Sequence, residues 1–173
     1  MDSVKKFIRD IPDFPKKGIV FKDITPLLSD ASAFTKTINT LKERFSEKKV
    51  DRVVGVEARG FIFASALAYA LEAGTTMVRK PGKLPYSTFQ ETYSLEYGTD
   101  TIEIHQDAFQ PGERIILIDD VLATGGTLAA TLNLIRKNFQ SVEILEVAFL
   151  IELEFLSGRE KIKDVPVHSL IHF

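Results

Sequence analysis

The chain contains no cysteine. Disulfides and thiolate chemistry are excluded, and the composition fits a reducing compartment. It also lacks an excess of either charge: 22 Lys+Arg stand against 24 Asp+Glu, a formal net charge of −2. That leaves no electrostatic case for nucleic-acid or membrane binding. Long apolar runs are missing too. The longest, Phe61 to Leu71, is too short to span a bilayer, and the opening residues MDSVKKFIRD hold no apolar signal core. No internal repeat, linker or low-complexity stretch interrupts the 173 residues. The expectation is a single soluble, cytoplasmic domain, 1–173, long enough to bury a sizeable core.

Against these absences one stretch stands out, Arg114 to Thr127, RIILIDDVLATGGT. Ile115, Ile116, Leu117 and Ile118 form an apolar run suited to a strand buried on both faces. The run stops at Asp119 and Asp120. A small-residue loop, Ala123-Thr124-Gly125-Gly126-Thr127, comes next, and then a helical pattern through Lys137. In open α/β sheets ligands sit at the carboxyl ends of strands. Gly125 and Gly126 let the backbone turn and approach a ligand closely. Free N–H groups at the helix start, with the Thr124 and Thr127 hydroxyls, favour a phosphate. A Walker A loop is excluded because no lysine is present, and the dinucleotide fingerprint G-x-G-x-x-G is absent. Two carboxylates would repel phosphate, so they suit vicinal hydroxyls, or hydroxyls shared with a divalent cation. A phosphate with a diol beside it describes a ribose 5-phosphate. The plainer reading is that the two aspartates end a strand and cap a helix. Their contiguity with the loop weighs against it.

Elsewhere the pattern alternates strands and helices. Val4 to Arg9 could form a short amphipathic helix. Ile11 to Pro26 reads as an extended ribbon, broken by Pro12, Pro15 and Pro26 and turned at Gly18. Lys16 and Lys17 read as solvated. Ser29 or Asp30 can cap a helix whose stripe is Phe34, Ile38, Leu41 and Phe45. Arg52 to Val56 is a second buried strand, ending in Glu57-Ala58-Arg59-Gly60. Phe61 to Glu72 is a helix apolar almost all round, expected to be well buried. Arg59 offers a planar donor fork for phosphate, or simply pairs with Glu57. Gly74 to Val78 is a third strand, followed by the basic loop Arg79-Lys80-Pro81-Gly82-Lys83. Leu84 to Glu91 has no periodicity and reads as loop. Thr92 to Tyr97 and Thr101 to Gln106 read as hairpin arms turned by Gly98, Thr99 and Asp100. Leu95 and Tyr97 would share one face, Ser94 and Glu96 the other. Leu128, Leu132 and Ile135 give a later helix its inward stripe. Val142 to Ile151 and Val167 to Ile171 are further strands, and Gly158 breaks the helix-like Glu152 to Ser157. His105, His168 and His172 are read as structural.

The stretch from Arg114 to Thr127 resembles the phosphoribosyl diphosphate signature of the type I phosphoribosyltransferases, residue for residue at Asp119, Asp120 and Ala123 to Thr127. Nearly the whole chain is similar to the adenine phosphoribosyltransferase family. The likeness is carried by the segments from Pro12 to Pro15, Gly18 to Leu28, Glu57 to Phe61, Arg79 to Pro85, Tyr93 to Gly98, and Gly158 to Lys161. The resemblance implies an α/β, type I phosphoribosyltransferase fold. That is a parallel sheet with helices on both faces, a small hood made of the N-terminal ribbon and C-terminal segment, and a mobile hairpin loop. It implies transfer of a phosphoribosyl group from phosphoribosyl diphosphate to adenine, giving AMP and diphosphate in purine salvage. It further implies a homodimer using magnesium.

The resemblance also implies roles. Asp119 and Asp120 would hold the ribose hydroxyls. Ala123, Thr124, Gly125, Gly126 and Thr127 would hold the 5-phosphate. Arg59, Arg79, Lys80 and Lys83 would meet the diphosphate, with Arg79 acting in the partner subunit's site. Val20, Phe21, Lys22 and Leu153 would meet the base. Glu96 and Tyr97 would be catalytic in the closing loop, Glu96 moving a proton on the purine or ordering a ribose hydroxyl. No side chain is assigned as a direct metal ligand; the substrate would carry magnesium near Asp119 and Asp120. One departure stands out: many members have arginine where this chain has Lys22. The swap is harmless if only the backbone there reads the base, and matters if a guanidinium is needed. The rival readings are a transferase for another base and a non-catalytic sensor of phosphoribosyl diphosphate. A sensor would need an added domain or a nucleic-acid surface, and the chain shows neither a basic excess nor an extra segment.

Overall fold

The computed structural model describes residues 1–94 and 98–173. The chain runs α1 (Asp2–Lys5), β1 (Arg9–Pro12), β2 (Val20–Asp23), α2 (Thr25–Ser29), α3 (Ala31–Phe45), β3 (Arg52–Val56), α4 (Gly60–Leu71) and β4 (Gly74–Val78). It continues through β5 (Thr88–Ser94), β6 (Thr99–His105), β7 (Arg114–Leu122), α5 (Gly126–Asn138), β8 (Glu143–Glu152) and β9 (Val167–His172). Five strands pair in the order β4-β3-β7-β8-β9, every neighbour parallel. The α/β class with a parallel core is therefore as expected.

Strand alternation splits the core in two. Ile116 and Ile118 of β7 face α3 and α4, packing with Leu41, Phe45, Phe63 and Leu67. Ile115 and Leu117 face α5 and the β5-β6 hairpin, packing with Leu132, Ile135, Ile102 and Ile104. A strand with helices over both faces must be apolar at every position, which is why its sequence reads as an unbroken run. A charge lies deepest in that interior among the described residues. Glu146 on β8 is fully buried, with Arg44 Nε and Lys48 Nζ each 2.5 Å from its carboxylate. It follows a register shift in the β7–β8 ladder.

Several boundaries differ from the pattern-based expectation. The first helix is only Asp2–Lys5, and the chain is already extended at Arg9; of that helix only Val4 is buried. The expected ribbon is an antiparallel hairpin of β1 and β2, with Ile11 opposite Phe21 and Gly18 at φ +88° in its turn. Pro26 does not break helix but starts one, in the first turn of α2, where its missing N–H has no partner to lose. Asp30, not Ser29, caps α3, its Oδ1 accepting from Ala33 N at 2.8 Å.

The helix α4 is buried on one side only. Phe63, Ala64, Leu67 and Ala68 are in the core, but Ile62 is 40% and Tyr69 88% exposed, correcting the expectation of all-round burial. The stretch expected as loop to Glu91 is strand from Thr88, because Phe89 packs on Phe139 beyond α5, ring centroids 5.7 Å apart. Thr99 and Asp100, expected in the turn, belong to β6, Asp100 facing Tyr93 across the ladder. The predicted faces of Leu95, Glu96 and Tyr97 lie outside the described residues. Finally, β7 does not stop at Asp119. Its backbone stays laddered to β8 as far as Leu122↔Glu152, since side-chain charge does not interrupt main-chain pairing.

Candidate active site

The carboxyl ends of β3, β4, β7 and β8 open on one cleft of about 410 Å³. β3 delivers Glu57 and Arg59, β4 delivers Arg79 and Lys80, β7 delivers Asp119, Asp120, Ala123 and Thr127, and β8 delivers Leu153. Val20, Phe21 and Lys22 of the N-terminal hairpin form one flank, and Tyr93 and Asp100 of β5 and β6 another. A smaller cup of about 90 Å³ adjoins it, walled by Ala123, Thr124, Gly125, Gly126 and Thr127 with Asp119 beneath. Residues scattered over more than a hundred positions are thus brought together at the switch from strand to helix. Lys83 lines neither cavity; its carbonyl accepts from Arg79 Nη1 at 3.1 Å. Glu96 and Tyr97 lie outside the described residues.

The acidic pair is tightly enclosed. Asp119 Oδ1 accepts from Asp120 N at 2.8 Å, and a side chain on Gly60 would collide with that same oxygen. Burial pushes the Asp119 carboxyl well above the ordinary carboxylate range, and the Asp120 charge adds to it. Burial raises Asp120 as well, with Arg59 opposing. Arg59 Nε lies 2.8 Å from Asp120 Oδ2, yet that oxygen is buried and accepts no hydrogen bond among the described residues. Arg59 does not pair with Glu57, the plainer alternative. Glu57 instead takes Arg79 Nε at 3.3 Å and Lys80 N at 2.8 Å. Burial works against its charge, but these donors hold its carboxyl below the usual value. Among the described residues no three His, Asp or Glu side chains converge as a metal site.

The base-side flank is set by packing. Phe21 lies between the Arg59 guanidinium, 4.9 Å from its ring centroid, and Phe14, edge-on at 5.2 Å. Lys22 directs its ammonium away from the cleft's chemistry: Nζ is 2.7 Å from Asp10 Oδ1 and 4.0 Å from the Phe173 ring centroid. Lys22 still lines the cleft.

Three features escaped the sequence reading. Gly125 takes φ +74° at the N-cap of α5 and packs against the Gly158 carbonyl so closely that a Cβ on either glycine would clash with backbone. Arg159, next in the chain, is clamped by the nearly buried Glu152, Nε–Oε1 2.5 Å and Nη2–Oε2 2.6 Å. The hydrogen bonds from Arg159 pull the Glu152 carboxyl below its usual range. The Gly158 to Lys161 segment is therefore a brace behind the Ala123 to Thr127 loop, and spacing alone gives no sign of it. Tyr93 is the third. Its Oη lies 3.0 Å from Thr127 Oγ1 and 3.2 Å from Asp100 Oδ2, and Asp100 is in turn paired with Lys80 Nζ. The signal available was the alternation Phe89, Glu91, Tyr93, which places Tyr93 on the α5 side once β5 is known to begin at Thr88.

Comparison with known proteins is consistent along the chain. Residues 28–169 match the phosphoribosyl transferase domain family. The adenine phosphoribosyltransferase of Syntrophotalea carbinolica is 58% identical over 173 residues, covering all of both chains. The crystal structure of adenine phosphoribosyltransferase from Thermoanaerobacter pseudethanolicus superposes with a TM-score of 0.95 at 49% identity, covering 99% of each chain. That of the Saccharomyces cerevisiae enzyme, complexed with an imino-altritol bisphosphate and adenine, gives 0.89 at 41% identity, covering 96% of this chain and 95% of that one.

Proposed function

Because this chain belongs to the phosphoribosyl transferase domain family, we propose a reading of its cleft as the site of phosphoribosyl transfer to a purine. The protein is an adenine phosphoribosyltransferase enzyme: it joins adenine to phosphoribosyl diphosphate, giving AMP and diphosphate in purine salvage. One observation carries the assignment of roles: the acidic pair lines one cleft with Arg79 and Lys80, and the glycine loop walls the cup that adjoins it.

Loss of diphosphate leaves positive charge on the ribose ring and negative charge on the departing group. Arg59, Arg79 and Lys80 border the cleft where that negative charge develops, and their fixed cations favour it. Asp119 and Asp120 take the ribose hydroxyls. The buried Asp120 Oδ2 supports this: Arg59 stands beside it, yet it accepts no hydrogen bond among the described residues, which leaves it able to take a donor or a cation. The same oxygen fits magnesium or its waters, and a bound magnesium ion would neutralise charge on the diphosphate. The loop from Ala123 to Thr127 takes the 5-phosphate at the start of α5. Main-chain groups of Val20 to Lys22, with Phe21 and Leu153, take the adenine. Glu96 handles a proton on the purine or orders a ribose hydroxyl, and Tyr97 closes beside it.

The working form we propose is a cytoplasmic homodimer. The cysteine-free composition supports the location. The exposed Ile62 and Tyr69 of α4, with the exposed Met77 on the edge strand β4, support a partner surface. A turnover assay with adenine, hypoxanthine, guanine and orotate, each with phosphoribosyl diphosphate, tests the reading. AMP formation far above the other products is expected; comparable turnover of another base would overturn the base assignment.

A further inference from the structure

The hydroxyl of Thr127 is the outermost side-chain donor of the phosphate loop, and Tyr93 already engages it. Proton bookkeeping fixes the direction. The Asp100 carboxylate can only accept, so Tyr93 Oη–H donates to it at 3.2 Å. The Tyr93 oxygen is then left to accept from Thr127 Oγ1, 3.0 Å away. The same Asp100 oxygen, Oδ2, is paired with Lys80 Nζ, and Oδ1 accepts from Thr101 N at 2.8 Å. A continuous chain, Thr127 to Tyr93 to Asp100 to Lys80, therefore spans the cleft from the phosphate loop to the basic loop. Its two ends are donors that anions would claim.

We propose that Tyr93 and Asp100 form a latch that occupies the phosphate-loop hydroxyl and neutralises Lys80 until a 5-phosphate releases both. A phosphate bound in the loop needs the Thr127 proton that Tyr93 now holds, so the two compete. The Tyr93 ring also lies against Gly126, with ring carbons 3.8–3.9 Å from where a Cβ would stand, and so beside the space a loop-bound phosphate takes. Tyr93 and Asp100 are directly opposed on β5 and β6, so displacing one moves the other. Lys80 leaves β4, and Arg79 just before it is bridged to the main chain of Glu103 on β6, so the Lys80 backbone keeps its place when the Tyr93 and Asp100 side chains swing away. Arrival of the phosphate thus strips Asp100 from Lys80 and exposes a cation for the diphosphate. Raised affinity of Lys80 for its proton and a lowered pKa at Asp100 accord with a well-formed pair, each against the opposing effect of burial. The consequence is coupling between two anion subsites: diphosphate alone meets a neutralised lysine, while a ligand carrying both groups does not.

This rests on the phosphoribosyl reading above, and its test separates the two. Calorimetry measures magnesium diphosphate binding with and without saturating ribose 5-phosphate, in the parent, Tyr93→Phe and Asp100→Asn. In the parent, ribose 5-phosphate should tighten diphosphate by about 5- to 10-fold, within the usual span of coupling between sites. In both variants that ratio should fall to about one, and Asp100→Asn should bind diphosphate alone about as tightly as the parent does with ribose 5-phosphate present. Ribose 5-phosphate that binds normally while the variants keep the parent's ratio would overturn the latch and leave the site reading standing. Failure of ribose 5-phosphate to bind the parent would overturn the site reading, and the latch with it. Tyr93→Phe keeps the ring and its packing, so a lost ratio there with an unchanged melting temperature reports the hydroxyl.

Discussion

Arg59 Nε stands 2.8 Å from Asp120 Oδ2, yet that oxygen is buried and no hydrogen bond among the described residues reaches it. The acidic pair is therefore screened by one cation without being satisfied. A buried carboxylate left without a hydrogen bond costs the fold stability, and under the proposed reading the ligand's hydroxyls supply the missing donors.

That tension has a pH signature. The Asp119 pKa is raised in the folded protein, mainly by burial. A carboxyl raised on folding contributes stability that is complete below its unfolded value, about 3.9, and is lost as pH rises through the folded value. At pH 8 that stability is lost to the extent of the shift, so Asp119→Asn, which has no proton to gain or lose and keeps the acceptor for Asp120 N, should raise the melting temperature. A gain of about 2–4 °C corresponds to about 1 kcal/mol in a chain of this size. The gain should shrink as pH falls toward about 4. Calorimetry should show phosphoribosyl diphosphate binding weakened in the same variant. A lower melting temperature at pH 8, or undiminished binding, contradicts the assignment.

Gly158 carries no chemistry but stands where any side chain meets the Ala123 carbonyl. Gly158→Ala should push the phosphate loop out of place and weaken AMP by tenfold or more, about 1.4 kcal/mol. Adenine alone should bind nearly as before. Equal AMP affinity in the variant and the parent would show that the brace does not position the loop.

For Glu96, the measurement is steady-state and single-turnover kinetics of Glu96→Gln. Loss of a proton-transfer group lowers kcat by about 100-fold or more with small changes in either KM. A raised KM with single-turnover chemistry intact would reduce Glu96 to a binding residue.

Arg79 lines the cleft of its own chain, held by Glu57 and by the Lys83 carbonyl. A homodimer in which Arg79 instead reaches the partner subunit's site, as the family resemblance implies, makes a different prediction from this arrangement. Mixed dimers of an Arg79→Ala subunit with an Asp119→Ala, Asp120→Ala subunit should regain activity absent from either parent dimer, because both lesions then fall in one site. If mixed dimers form without recovering activity, each site is self-contained.

Because the Lys22 ammonium is committed to Asp10 and Phe173, only its backbone is free to read the base. A carbonyl and an N–H placed for the amine and N1 of adenine are mismatched to hypoxanthine, and buried polar groups left unpaired discriminate strongly. The preference for adenine in kcat/KM should be at least about a thousandfold. Lys22→Arg should preserve it, and a collapse of the preference in that variant would place the side chain in the base site.

The sequence determined those features that rest on local chemistry. Four isoleucine and leucine positions in a row, Ile115 to Ile118, specify a strand covered on both faces, because alternate side chains must each find a dry partner. Asp119, Asp120 and the loop to Thr127 are contiguous, so their placement around the cleft and its adjoining cup is written in order along the chain. A helix cap at Ser29 or Asp30 and the strands Arg52–Val56 and Gly74–Val78 are equally local, with the choice of Asp30 left to the structure. Tertiary structure alone decided whatever depends on elements far apart in the chain. Whether α4 is covered all round depends on which neighbours reach it, and none of those described covers Tyr69. Whether Arg59 meets Glu57 or Asp120 depends on β3 and β7 lying side by side. The start of β5 was hidden because Glu91 interrupts its apolar alternation, and only packing of Phe89 on Phe139 fixes it. The link from Thr127 through Tyr93 and Asp100 to Lys80 joins separate segments, and it exists only because the hairpin register sets Tyr93 opposite Asp100. Pattern specifies which face a residue shows; long-range pairing specifies what that face meets.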